Sequence, residues 1–307
     1  MSALDEWLAV LWLPLTLDFM RQALWMGLLV GTVCAVLSCL IVLKGWSLVG
    51  DAASHAVVPG IVLAWLAGIP MVIGALVSAL CCLLGAGLIE RNCRIRPDAV
   101  LGIAFTGFLA LGMVLVAMVP SDVHFMHILL GNLLGIEAST RYQLIMTGIV
   151  VLGAVALKFS DLRLYCFDPQ QAQVVGLNTR RLQLLLTILL TLTTVMALQA
   201  VGVVLVIAML VTPGCTAFLL TRRLASMMMV ASASTWLSVL SGVMVSFHVD
   251  IETGGVIVLI QAFLFLLAFL FAPGRGVVFQ KVRVRRAIRA DREAAQEQEE
   301  VYRRHRV

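Results

Sequence analysis

Asp51 and His55 stand four residues apart in the stretch LKGWSLVGDAASHAVVPGIVLAW, Leu43 to Trp65, which is otherwise made mainly of small and apolar residues. On a helix, positions i and i+4 lie on one face, about 6 Å apart along the axis, so a carboxylate and an imidazole at this spacing can share one cation. Their oxygen and nitrogen donors suit Mn²⁺, Fe²⁺ or Zn²⁺. One carboxylate and one imidazole do not fill a divalent metal's shell; a second copy from a symmetry-related subunit would supply four ligands. If the helix starts near Ser47, with Lys44 and Trp46 as anchors at the membrane surface, His55 lies about 12 Å deep against a half-thickness of about 15 Å. Ionisable groups at that depth are costly and normally face a polar path. The structural alternative is an Asp and a His bonded to each other or to backbone, where Pro59 frees a carbonyl. Pro59 with Gly60 also reads as a break that lets such a path open.

Weaker constellations sit elsewhere. His124 and His127 in SDVHFMHILLGNLLG have i, i+3 spacing, which fits an ordinary interfacial pair as well as a metal-receiving one. In FHVDIETGG, His248, Asp250 and Glu252 precede the last apolar run, and helix-start acids explain Asp250 and Glu252 without a ligand role. Asp98 after Pro97 reads as a helix cap, Pro213 with Gly214 as a structural interruption, and the pairs Gly27/Gly31 and Gly102/Gly107 as close-packing positions. In KFSDLRLYCFDPQQAQVVGLNTRR, Asp168 before Pro169 is an N-cap with proline in the first turn, and Gly176 with Asn178 ends the helix. This short element lies outside the membrane, either as a folded connector or as a docking surface, with Ala172, Val175 and Leu177 on its apolar face.

The elements that must position these residues are membrane spans. The 307-residue chain is 61% hydrophobic and 13% charged, outside the range of a soluble domain. Leu24 to Leu43, Met71 to Ile89, Ala99 to Val119, Leu224 to Phe247 and Gly254 to Ala272 are uncharged runs near spanning length. Leu48 to Ala67 and Tyr142 to Leu157 add two, and Leu182 to Leu220 is long enough to cross twice with a break near Ala200 to Gly202. The fold class is therefore all-α and polytopic, with about nine spans, or eight if the long run crosses once. Loop charge favours nine: Lys44, Arg91, Arg94, Arg96, Lys158, Arg163, Arg180, Arg181, Arg222, Arg223 and the basic tail then share the cytoplasmic side. The opposite side carries mostly acids, which places the N-terminus outside and the C-terminus inside. Residues 1–23 read as an interfacial segment with no signal peptide, 24–276 as the transmembrane domain, and 277–307 as a charged cytoplasmic tail near lipid headgroups.

The net charge of +5 comes mostly from that tail and does not point to nucleic acid. The seven cysteines form no C-x-x-C pair and read as small apolar residues. A G-x-x-x-x-G-K-[ST] phosphate loop, H-E-x-x-H and G-x-S-x-G are all absent, so the chain shows no ATPase or hydrolase motif of those kinds. An intramembrane metalloenzyme using His55 would need more ligands and an activated water.

The segments LKGWSLVGDAASHAVVPGIVLA, RPDAVLGIAFTGFLALG, HILLGNLLGI, FDPQQAQVVGLNT, LQAVGVVLVIAMLVTPGCTAFLLT and IETGGVIVLIQAFLFLLAFLFAPGRG together resemble the membrane permease subunit of bacterial ABC importers for manganese, iron and zinc, the manganese and iron branch most. The resemblance implies an ABC importer transmembrane-domain fold in the bacterial inner membrane. It implies a dimer with itself or a paralogous permease, two cytosolic ABC ATPases below, and a periplasmic or lipoprotein metal-binding protein above. Asp51 and His55 would contact the transported divalent metal, no cofactor would be permanently bound, and Asp168, Pro169, Ala172 and Gly176 would form the coupling loop against the ATPase. A permease for a metal chelate or siderophore is the alternative, in which Asp51 and His55 become structural.

Overall fold

The computed structural model describes residues 16–93, 95–118, 135–136, 138–272 and 276. The His124/His127 pair, most of the N-terminal segment and the charged tail lie outside these. Among the described residues nine helices are long and apolar enough to cross a membrane: α1 (Asp18–Lys44), α2 (Val49–Ala67), α3 (Met71–Asn92), α4 (Pro97–Met118), α5 (Ala138–Leu157), α8 (Thr179–Val201), α9 (Val203–Leu220), α10 (Leu224–Val249) and α11 (Thr253–Phe271). Two short helices, α6 (Phe159–Phe167) and α7 (Pro169–Val174), fill the link between α5 and α8. The long apolar run does cross twice. Gly202 separates α8 from α9 at φ 80° and ψ 168°, backbone angles that only glycine adopts freely, which permits a one-residue connection.

α1, α2 and α8 are the most enclosed of the nine, while α3, α4 and α11 leave most of their surface open. Leu37, Leu40, Leu190, Leu198, Met209 and Leu210 are fully buried where α1, α8 and α9 meet. Large apolar side chains such as Ile103, Met113, Leu259 and Phe263 point outward, as a lipid-facing surface requires. α1 begins six residues before its uncharged run, and Asp18 and Arg21 pair on its exposed first turn, at 2.9 Å.

Lipid offers no hydrophobic force between helices, so their positions rest on close contact and hydrogen bonds. At one crossing Gly60 of α2 lies against Gly74 of α3 so closely that a Cβ on either would strike the other's carbonyl. Ser78 of α3 also donates to the Ala56 carbonyl at 2.6 Å. On the other side of α2, a Cβ on Gly112 of α4 would come within 2.8 Å of Val58. At another crossing, Pro213 interrupts the ladder of α9, and Ser38 of α1 inserts its hydroxyl, accepting from Gly214 N–H at 2.9 Å and donating to the Val211 carbonyl at 3.2 Å.

Three expectations change. α2 runs unbroken through Pro59 and Gly60, because α3 and α4 hold that turn from both sides. Trp46 is buried in the core instead of anchoring at the interface. Gly31 does pack tightly, against Thr235, but Gly102 and Gly107 meet nothing within 4 Å and face open space.

Replacing Gly74 with Val should destabilise the protein by about 1–3 kcal/mol or more through overpacking. Gly85 has open space at its Cβ position, so Gly85→Val is the control. Thermal unfolding in detergent should show a lowered midpoint for the first variant and little change for the second.

Candidate metal path and coupling element

From Val49 to Val62 every residue of α2 is buried except Asp51 and His55, which are half-buried. One accessible strip thus runs along an otherwise enclosed helix, and it carries both ionisable groups. His55 lies six residues, about 9 Å, from the start of α2 at the basic end of the bundle. Its ring packs beside Phe105 of α4, with centroids 5.1 Å apart and planes tilted by 41°. Among the described residues no hydrogen bond joins the Asp51 and His55 side chains to each other or to backbone, although the two groups interact electrostatically. Pro59 lacks the N–H that would bond the His55 carbonyl, so this oxygen has no helical partner. No three His, Cys, Asp or Glu side chains converge to hold a metal ion among the described residues.

A cavity of about 350 Å³ adjoins His55. Val58, Leu109, the α8–α9 turn and the start of α11 form its wall, and Glu252 is part of it. Glu252 occupies the N-cap position of α11 but makes no capping bond, and Asp250 is the αL residue (φ 54°) that ends α10. Capping thus accounts for Asp250, while the Glu252 side chain makes no capping bond. Sequence reasoning had no signal for Phe105, and it set Glu252 aside because an acid at a helix start is favoured by the helix dipole. Asp98 likewise sits in the first turn of α4, and its carboxylate accepts from Ser47 at 3.0 Å, tying α4 to the α1–α2 turn.

At the basic end, α6 and α7 build a folded element between α5 and α8. Asp168 Oδ1 accepts from the N–H groups of Gln170 and Gln171, both at 2.9 Å, and Pro169 opens the helix as expected. The helix closes when Leu177 N–H donates to the Ala172 carbonyl and Gly176 N–H to that of Gln173, each at 3.0 Å, with Gly176 at φ 89°. This double bond pattern requires a left-handed residue at that position. Asn178 then caps α8 through Arg181 N–H at 3.1 Å. Ala172 is fully buried within the chain, whereas Val174 and Val175 are 83% and 61% exposed, so the outward apolar tip is shifted from the expected face.

α6 was not foreseen. It buries Leu162, Tyr165 and Cys166 against the bundle, and the Lys44 ammonium sits 4.1 Å over the Tyr165 ring. Beside α6 lies a cavity of about 520 Å³ that includes Phe159, Phe167, Arg163, Arg222 and Arg223 in its lining.

The profile of the ABC 3 transport family matches residues 16–272. The chain belongs to that family. Among relatives of this ABC 3 chain, the manganese transport system membrane protein MntB of Synechocystis sp. is 46% identical over 272 residues, covering 89% of each protein. The chelated iron transport system membrane protein YfeD of Yersinia pestis is 47% identical over 258 residues, covering 84% of this chain and 87% of YfeD. The solved structure of PsaBC from Streptococcus pneumoniae in complex with Fab superposes with a TM-score of 0.76 at 34% identity, covering 86% of this chain and 96% of that one. The fold is thus that of a polytopic ABC permease.

Burial pushes the Cys166 thiol of α6 up to about 12, against the opposing pull of the Lys44 ammonium. At pH 8 only about one thiol in 10⁴ is then ionised. A water-soluble maleimide should modify exposed Cys93 and spare Cys166; mass spectrometry of the labelled peptides checks this.

Proposed function

We propose that this ABC 3 chain is the membrane-spanning subunit of an ATP-driven importer for a divalent transition metal, Mn²⁺ or Fe²⁺ and by extension Zn²⁺. The observation that carries the reading is the accessible Asp51–His55 strip on a helix otherwise buried from Val49 to Val62. A free carboxylate and a free imidazole one turn apart offer a mixed oxygen and nitrogen donor set to a cation, and neither is consumed by the fold. The transport names of MntB and YfeD support it. The metal is cargo, and the chain binds no permanent cofactor.

Two donors leave a divalent ion under-coordinated, so a second permease subunit completes the site, either another copy or a paralogue. The open faces of Gly102 and Gly107 on exposed α4 fit close approach by such a subunit. The chain contributes no ATPase of its own. The outward Val174/Val175 tip on Asp168, Pro169, Ala172 and Gly176, with the arginine-lined cavity beside it, offers an apolar and basic seat for a cytosolic ABC ATPase. The basic face is then cytoplasmic, with the C-terminus inside and the N-terminus outside in a bacterial inner membrane, and a metal-binding protein docks on the acidic face.

Asp51→Asn and His55→Ala should each lower uptake of radiolabelled Mn²⁺ by about 100-fold or more while the protein stays in the membrane, because each removes a direct ligand. Unchanged uptake would overturn the site. The name of YfeD favours a second reading, a chelated-iron permease; competition between free Mn²⁺ and an iron chelate in proteoliposomes separates the two. Deleting 168–176 should abolish co-purification of the ATPase without affecting membrane insertion.

A further inference from the structure

The cavity beside His55 reaches the start of α11 at the outer end of the bundle, and among the described residues its ligating side chains are His55 and Glu252. Glu252 is an exposed acid at the start of α11, and three observations bear on it. It makes no capping bond to α11. Its backbone carbonyl accepts from Val256 N–H at 3.3 Å, but its carboxylate has no hydrogen-bond or ion-pair partner among the described residues. Its carboxylate is directed along the wall, with Oε1 lying 3.5 Å from where a Gly254 Cβ would stand, and Leu205 at 3.8 Å from that same point. The glycines at 254 and 255 leave the wall bare at this level. The cavity lining thus carries a carboxylate together with the imidazole of the transport pair, and Val58, Leu109 and Val204 are also part of it.

We propose that Glu252 is an outer receiving ligand for the divalent cation, a first station from which the ion passes through this cavity to Asp51 and His55. The proposal rests on the transport reading above. No three ligating groups converge on one point among the described residues, and the cavity of about 350 Å³ has room for a cation that keeps part of its water shell. Glu252 is exposed at the mouth of the cavity, and a carboxylate there raises the local cation concentration, which favours capture at low metal concentration without changing the later steps. It also biases choice: a hard carboxylate with water favours Mn²⁺, whereas Zn²⁺ draws more of its affinity from imidazole.

The test uses the complete transporter, with its ATPase and metal-binding protein, in proteoliposomes, measuring ATP-driven uptake of Mn²⁺ and of Zn²⁺ for wild type, Glu252→Gln, Glu252→Asp and His55→Ala. In Glu252→Gln the half-saturating Mn²⁺ concentration should rise about five- to tenfold at unchanged maximal rate. That for Zn²⁺ should rise less than about twofold, and Glu252→Asp should restore most of the Mn²⁺ effect. A half-saturation value that does not move, or a fall in maximal rate alone, would overturn the proposal. So would an equal shift for both ions, which would mark Glu252 as a contact for the metal-binding protein. If the wild-type complex moved neither free ion, or His55→Ala retained full uptake, the transport reading would fail and this proposal with it. An inactive His55→Ala beside an unaltered Glu252→Gln would defeat this proposal alone.

Discussion

Where Gly60 of α2 passes Gly74 of α3, two backbones meet with no side chain between them, and the placement of the Asp51–His55 strip depends on that crossing. In lipid, apolar side chains gain little by leaving one apolar surface for another, so close van der Waals contact and hydrogen bonds must locate a helix. Gly60 lies just past Pro59, which costs α2 a ladder bond. α3 supports the weakened turn through Ser78, and α4 closes on it from the other side at Gly112. With that turn clamped, His55 one turn away is held at a set depth and rotation, its ring against Phe105. Asp51 follows another turn on. The strip stays accessible because the clamp engages the other faces of the helix.

The opposite end of α2 is joined to the coupling element by polar contacts. Ser47, in the α1–α2 turn, binds Asp98 of α4, and Lys44 at the end of α1 rests over Tyr165 of α6. α6 leads directly into the Asp168-capped α7, and Asn178 then caps α8, one of the most enclosed helices. Val174 and Val175 therefore sit on a short element with both termini closed by hydrogen bonds, attached to the helices that flank the Asp51–His55 strip. Buried Cys166 belongs to the same joint, which accounts for the raised pKa of a thiol in a loop region.

Much of this was legible in the residues. Span number followed from run length and loop charge, including the double crossing of Leu182 to Leu220, since lipid requires each crossing to be a long apolar helix. The Asp168–Pro169–Gly176 element was legible because caps are local chemistry. Other assignments depended on distant partners. Trp46 beside Lys44 has the composition of an interfacial anchor and is instead buried in the core of the bundle. Gly27/Gly31 and Gly102/Gly107 look alike in sequence, yet Gly31 meets Thr235 of α10 while Gly102 and Gly107 meet nothing within 4 Å among the described residues. Pro59 with Gly60 suggested a break, and two neighbouring helices prevented one.

By itself the sequence determined the crossings, the charged ends, the caps of the connecting helices and the coexistence of a carboxylate and an imidazole on one face of α2. Each of these follows from residues within a few turns of one another, where helical period and backbone hydrogen bonding act. Only the tertiary structure decided that the Asp51–His55 strip stays open while the rest of its helix is enclosed, and that Glu252 leaves its cap to share a cavity with His55. Those outcomes depend on which helices approach α2 and α11, and the approach is set by glycine and serine contacts between residues as far apart as Ser38 and Gly214. Side-chain access in a membrane bundle belongs to the gaps between helices, and no single helix encodes a gap.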